Sequence, residues 1–140
     1  MIKNHYYLIV GVLCVLFAVT HTLNGISTNL QILGGSAIDH SAKTAFTYVW
    51  HIIGIENLVF GAALLLMAFQ MKPSRVKFVA WLIIMILALR WIVIAAFTLS
   101  SQTGHVMQIL PDTIAILASI ILLILGTKKK DTICNHLTQQ

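Results

Sequence analysis

The sequence predicts an all-α fold, a four-helix transmembrane bundle with both termini in the cytoplasm, and three observations carry that expectation. Of the 140 residues, 59% are hydrophobic and only 9% are charged. Mean hydropathy is +0.92, whereas a soluble domain has about a quarter of its residues charged. Four apolar runs can be drawn, at 6–24, 45–71, 76–100 and 106–126, each near the ~20 residues that cross ~30 Å of hydrocarbon. The basic residues gather at alternate junctions. Lys3 precedes the first run, Lys72, Arg75 and Lys77 separate the second from the third, and Lys128, Lys129 and Lys130 follow the fourth. The opposite loops hold only Lys43, with Asp39 against it. Cytoplasmic enrichment of Lys and Arg then sets the orientation, and the inner (plasma) membrane of a bacterium is the expected location.

The first run follows Lys3 in the manner of a signal peptide. It is too long for one, and His21, Asn24 and Gly25 stand where a small-residue cleavage pattern would be; it is expected to be a retained helix. Residues 25–44, with Gly34, Gly35 and several Ser, Thr and Asn, are expected to form an outer loop. Within it NLQIL and AIDHSAKTAF suit short interfacial helices, and Asp39 and His40 solvated loop positions. The third run leads to a second outer loop with Gln102, His105 and Gln108. Pro111 and Asp112 interrupt the fourth run. Counted from Thr113 it is too short to span, so its helix must begin earlier or the membrane must thin; proline is tolerated in the first turns. The polar tail 128–140 carries no motif. With no repeat or linker, a single domain is expected.

Composition also removes several function classes. The formal charge of +5 sits beside apolar runs, which is a topology signal and no nucleic-acid footprint. Cys14 lies in the first run and Cys134 in the tail, so neither a disulfide framework nor a CxxC relay is available. Ser, His and Asp occur on the outer side without a nucleophile-elbow motif.

Orientation converts positions into depths. His21, Asn24, His51, Glu56, Asn57, Arg90, His105 and Asp112 all fall in the outer half of the bilayer, and the inner half is Leu, Ile, Ala, Phe and Met. A carboxylate at such depth costs several kcal/mol unless it faces protein or water. An outward-facing polar pocket follows, with Glu56 and Arg90 as the first charge pair, since guanidinium binds carboxylate bidentately, and Asp112 as the alternative partner. In this reading His51, Glu56 and Arg90 are the catalytic candidates. Asn24, Trp50, Asn57, Trp91 and Asp112 bind ligand. His21, His51 and His105 are metal candidates, because imidazole suits zinc, copper and iron, although no HExxH spacing is present. At ~100° per residue His51 and Glu56 point about 140° apart, while Trp50 and Asn57 share a face. The second run should therefore meet several neighbours, and Gly54 and Gly61 would let one helix approach closely. The Trp and Tyr residues otherwise suit interfacial anchors.

IVGVLCVLFAVTHTLNG, followed after a loop by GIENLVFGAALLLMAFQMKPSRVKFVAWLIIMILAL, resembles the DoxX-like group of small four-helix membrane proteins over about two thirds of the chain. In that group a Gly-x-x-Glu segment and a Gly-containing leucine run precede a short basic turn. Gly54, Glu56 (one residue nearer than in that pattern), Gly61 and Lys72–Lys77 occupy those positions. The resemblance implies a four-helix bundle and a role beside quinone-linked redox enzymes; no catalytic residue is carried over.

The expected function is binding of a small ligand or metal (quinone, haem or transition metal), with redox turnover as an extension that would make the chain a membrane oxidoreductase or metalloenzyme. A small proton-coupled transporter using Glu56, or an accessory subunit of a larger membrane complex, are the alternatives. A homo-oligomer or a partner membrane subunit is expected beside the lipid bilayer. Impermeant-reagent labelling of a cysteine placed at position 2 should fail in intact cells and succeed after lysis; labelling in intact cells would reverse the orientation.

Overall fold

The computed structural model describes residues 2–70, 73–100 and 106–128. Most of these residues are helical, and no strand is among them. Helix α1 (His5–Asn24) runs through a π-helical turn (Gly25–Asn29) into the short α2 (Leu30–Gly35). Helices α3 (His40–Phe69), α4 (Pro73–Ser100) and α5 (Val106–Lys128) follow. Four stretches are long and apolar enough to cross a membrane: His5–Gly35, His40–Phe69, Val76–Ser100 and Ile109–Lys128. Only 17% to 33% of each apolar window is buried. The helices thus present most of their hydrocarbon outward, as expected of a chain whose solvent is lipid.

The segment expected as an outer loop differs from expectation. Only residues 36–39 are non-helical between α2 and α3. NLQIL contributes to α2, but AIDHSAKTAF is no separate interfacial helix, since α3 already begins at His40. The reading of His40 as a loop residue is corrected accordingly, while Asp39 lies exposed in the non-helical link. The Asp39 carboxylate accepts a hydrogen bond from the Ser41 N–H at 2.9 Å, the N-cap arrangement that satisfies an orphan donor of a helix start. Lys43 Nζ donates to the carbonyls of Gly34 (2.9 Å) and Ser36 (2.7 Å), closing the end of α2 with a cation, the sign favoured at a helix C-terminus. Two local caps therefore convert an apparent loop into a tight reversal. The interruption at Pro111 has the other expected solution, because α5 starts upstream at Val106 and carries the proline within its first turns.

The described chain divides into two compact units, Leu8–Leu66 and Met1–Tyr7 with Met67–Gln140. In the first unit α1 packs on α3 through small residues. A Cβ built on Gly61 would lie 2.7 Å from Val15 Cγ2 and 3.0 Å from the Gly11 carbonyl oxygen. On Gly11 it would meet Leu65 Cγ at 3.0 Å, and on Gly54 the Thr22 hydroxyl at 2.8 Å. Gly54 and Gly61 thus form the close-approach seam that their heptad spacing predicts, and the partner is α1. Cys14 and Ala18 are buried on the α1 side of this unit and Leu64 on the α3 side.

In the second unit Ala80, Ile83, Ile84 and Leu87 form the buried stripe of α4, at i, i+3, i+4 and i+7, and Ser119, Leu123 and Thr127 are buried on α5. The two buried hydroxyls donate back to their own helix, Ser119 to Ala115 and Thr127 to Ile124, both at 2.8 Å, so neither is stranded. The amino-terminal residues seal two helix ends. The N–H groups of Lys3 and Asn4 donate to the Ala68 carbonyl (2.9 and 3.2 Å), and Asn4 Nδ2 donates to the Gly126 carbonyl (2.9 Å). Asn4 Oδ1 also accepts from the Tyr6 N–H (3.1 Å), capping α1. Tyr7, expected as an interfacial anchor, is 1% exposed and its ring lies against Gly126.

Replacing Gly61 by Ala should lower the thermal stability of detergent-solubilised protein by about 1–3 kcal/mol, the usual cost of overpacking. The Gly11 backbone cannot rotate out of the way, so unfolding monitored by circular dichroism should show a clear loss.

Candidate functional site

Helix α3 organises the site because its faces have different tasks. Trp50, Gly54 and Gly61 share one face, which meets α1. His51 lies ~100° away and joins a second face with His40, Thr44, Thr47, Tyr48 and Ile55. Glu56 lies on a third. The angular argument from sequence therefore describes this helix correctly: it serves several surroundings at once.

On the α1 face, His21 and Trp50 form a reciprocal clasp. Their rings stack with centroids 4.3 Å apart and planes within 10°. Trp50 Nε1–H donates to the His21 carbonyl at 3.1 Å, and His21 Nε2 lies 3.2 Å from the Trp50 carbonyl. A carbonyl only accepts, so Nε2 carries the proton of this imidazole. Phe46, one turn before Trp50, adds a tilted contact at 5.8 Å. Gly25, the first residue of the π turn, is buried against the indole; a Cβ there would meet Trp50 Cδ1 at 2.6 Å and Cε2 at 2.8 Å. The absence of a side chain at Gly25 is what admits the ring. π turns are uncommon and tend to mark specialised positions, and this one sits where the clasp closes.

The second face of α3 borders an open-sided groove of about 560 Å³, lined by His40, Lys43, Thr44, Thr47, Tyr48, His51, Ile52 and Ile55. Its volume falls within the ~300–1,000 Å³ typical of small-molecule sites. The lining changes along the helix, with cation, imidazole and hydroxyls at one end and two isoleucines at the other. Of the sequence candidates only His51 lines this groove. His40, Lys43, Thr44, Thr47 and Tyr48 were not among them. Their i, i+4, i+7 and i+8 polar spacing from His40 is the signal that could have found them, once 40–44 is recognised as helix.

Asn24 is exposed at the end of α1, and Asp112 is exposed on α5. Glu56 and Asn57 are partly buried on α3 in the first unit, Arg90 and Trp91 partly buried on α4 in the second. Trp91 Nε1 is buried with no hydrogen-bond partner among the described residues, a condition that costs about 1–3 kcal/mol. His105 lies outside the described residues. Among the described residues no three His, Cys, Asp or Glu side chains gather as a metal-binding group, and His21 Nε2 is engaged in the clasp.

No family model matches the chain, and no curated protein or solved structure matches it.

Replacing Gly25 by Ala should expel the indole from its seat. The fluorescence of Trp50, isolated by Trp81→Phe and Trp91→Phe, should shift to the red, and stability should fall by about 1–3 kcal/mol; an unchanged spectrum would show that the clasp does not depend on this glycine.

Proposed function

We propose that this chain is an integral membrane protein that binds a small amphipathic ligand along α3, reached from the outer leaflet. The observation that carries the reading is the groove itself, polar at the His40 end and apolar at the Ile55 end. That gradient follows the helix axis, as the surroundings of a membrane-spanning helix change from headgroup to hydrocarbon. His51 and Tyr48, near its middle, are the hydrogen-bonding partners for the ligand's polar head; Ile52 and Ile55 hold its apolar body.

The orientation is proposed with both termini in the cytoplasm and the His40 end of α3 outside, supported by the flanking Lys and Arg residues. The direct Asn4–Gly126 bond supports a common side for the two ends, as an even number of crossings demands. Burial supports the same polarity. The buried residues of α4 lie at 80–87 and those of α5 at 119–127, each in the half adjoining a basic segment. The polar candidates lie in the other halves. A quinone is one ligand of this class, in keeping with the role beside quinone-linked redox enzymes that the DoxX-like resemblance implies, in a bacterial inner membrane and beside a partner subunit or a second copy.

Saturable binding of a short-chain quinone to the full-length protein in phosphatidylcholine nanodiscs tests the reading. His51→Gln and Tyr48→Phe should each weaken it about three- to tenfold, the worth of one hydrogen bond, without lowering the unfolding temperature. An absorption spectrum with elemental analysis of the same sample decides between an organic ligand and a haem or metal. Absence of saturable binding together with a metal-loaded sample would overturn the proposal.

A further inference from the structure

Resting on that reading, the groove's lining also specifies the charge of its occupant. We infer that it is a lipid site for an anionic phospholipid of the outer leaflet, with the headgroup at Lys43 and one acyl chain laid along Ile52 and Ile55. Among the described residues, Lys43 is the one Lys or Arg that lines the groove, and no Asp or Glu lines it. The nearest acid in sequence, Asp39, has an oxygen committed to the Ser41 N–H. Lys43 is held in place, because two of its three ammonium hydrogens serve the carbonyls of Gly34 and Ser36. An ammonium carries three donors, so one remains for a phosphate oxygen, while the Thr44 and Thr47 hydroxyls donate to the His40 and Lys43 carbonyls of their own helix. The cation is thus anchored at the rim with its positive charge unopposed by any lining carboxylate, an arrangement that favours a negative headgroup over a zwitterionic or neutral one.

The dimensions fit the same occupant. From His40 to Ile55 the groove follows roughly 22 Å of helix at ~1.5 Å per residue. That length accommodates a headgroup and part of one chain end to end. The stretch His5–Gly35 has 31 residues and α3 has 30, about 45 Å each, against ~30 Å of hydrocarbon. Their joined ends therefore stand in the headgroup layer, which sets Lys43 at phosphate depth and Ile55 among acyl chains. A soluble anion would find the polar end alone and leave the isoleucine end empty, which is why the lipid is favoured over free phosphate.

The test is native mass spectrometry of the full-length protein released from vesicles of equal phosphatidylglycerol and phosphatidylcholine. Wild type should retain one phosphatidylglycerol about fivefold in preference to phosphatidylcholine, the effect of one lysine near an anionic surface. Lys43→Gln should bring the ratio near unity while Lys43→Arg keeps it. Ile55→Phe, which narrows the apolar end without touching the cation or its helix cap, should reduce retention of both lipids. Equal retention of the two lipids by wild type, or a preference that survives in Lys43→Gln, overturns the inference. Dodecanoate retained in place of phospholipid, and lost in Lys43→Gln, overturns the bilayer as the source. A short-chain quinone retained where phosphatidylglycerol is not overturns the lipid assignment alone and leaves the ligand groove standing. Retention of none of the three removes both.

Discussion

Close approach of backbones is the constraint on which the first unit depends. In lipid there is little hydrophobic gain from pressing one apolar helix on another, so association relies on van der Waals contact between small residues and on interhelical hydrogen bonds. Here Gly11, Gly54 and Gly61 bring α1 and α3 together, and the His21–Trp50 clasp adds two hydrogen bonds and a ring stack at the end of that seam. Each part needs the other. Without the glycines the backbones would stand too far apart for ring nitrogens to reach opposing carbonyls, and without the clasp the seam would have contact but little register.

The clasp also separates two tasks that adjacent residues of α3 perform. Trp50 spends its indole N–H, its carbonyl and one ring face on α1. His51, one residue on, is turned ~100° away into the groove. Fixing Trp50 consequently fixes the rotation of α3 about its axis, and with it the direction in which His51 and Tyr48 are offered. The structural face thus supports the binding face without forming part of it. Lys43 repeats the pattern on a smaller scale, closing α2 while lining the groove.

Much of the architecture was legible because lipid imposes simple rules. Long apolar runs become helices of spanning length, and Gly54 with Gly61 marks a seam; both needed only composition and spacing. The fate of residues 25–44 was not legible. Gly, Ser, Thr and Asn there indicate a loop by propensity. Yet Gly25 serves the seat of an indole far along the chain, and Asp39 and Lys43 turn the remainder into capped helix ends through side-chain contacts that propensity does not register. The same difficulty hid the groove, since its polar stripe begins in residues that propensity assigns to the loop. His21 illustrates a further limit. Its depth among other histidines suggested a metal ligand, whereas its ring is engaged by Trp50, 29 residues away. Partner choice cannot be read from a residue's position along a helix.

The amino-terminal seal has a consequence for biogenesis. Asn4 is synthesised before its partner, and the carbonyl it donates to, at Gly126, is made 122 residues later. Until then the first transmembrane segment waits in the bilayer with this end unfastened, able to pair with α3 through its glycines but unable to close. Closure of this end therefore waits for α5, the helix that carries Gly126.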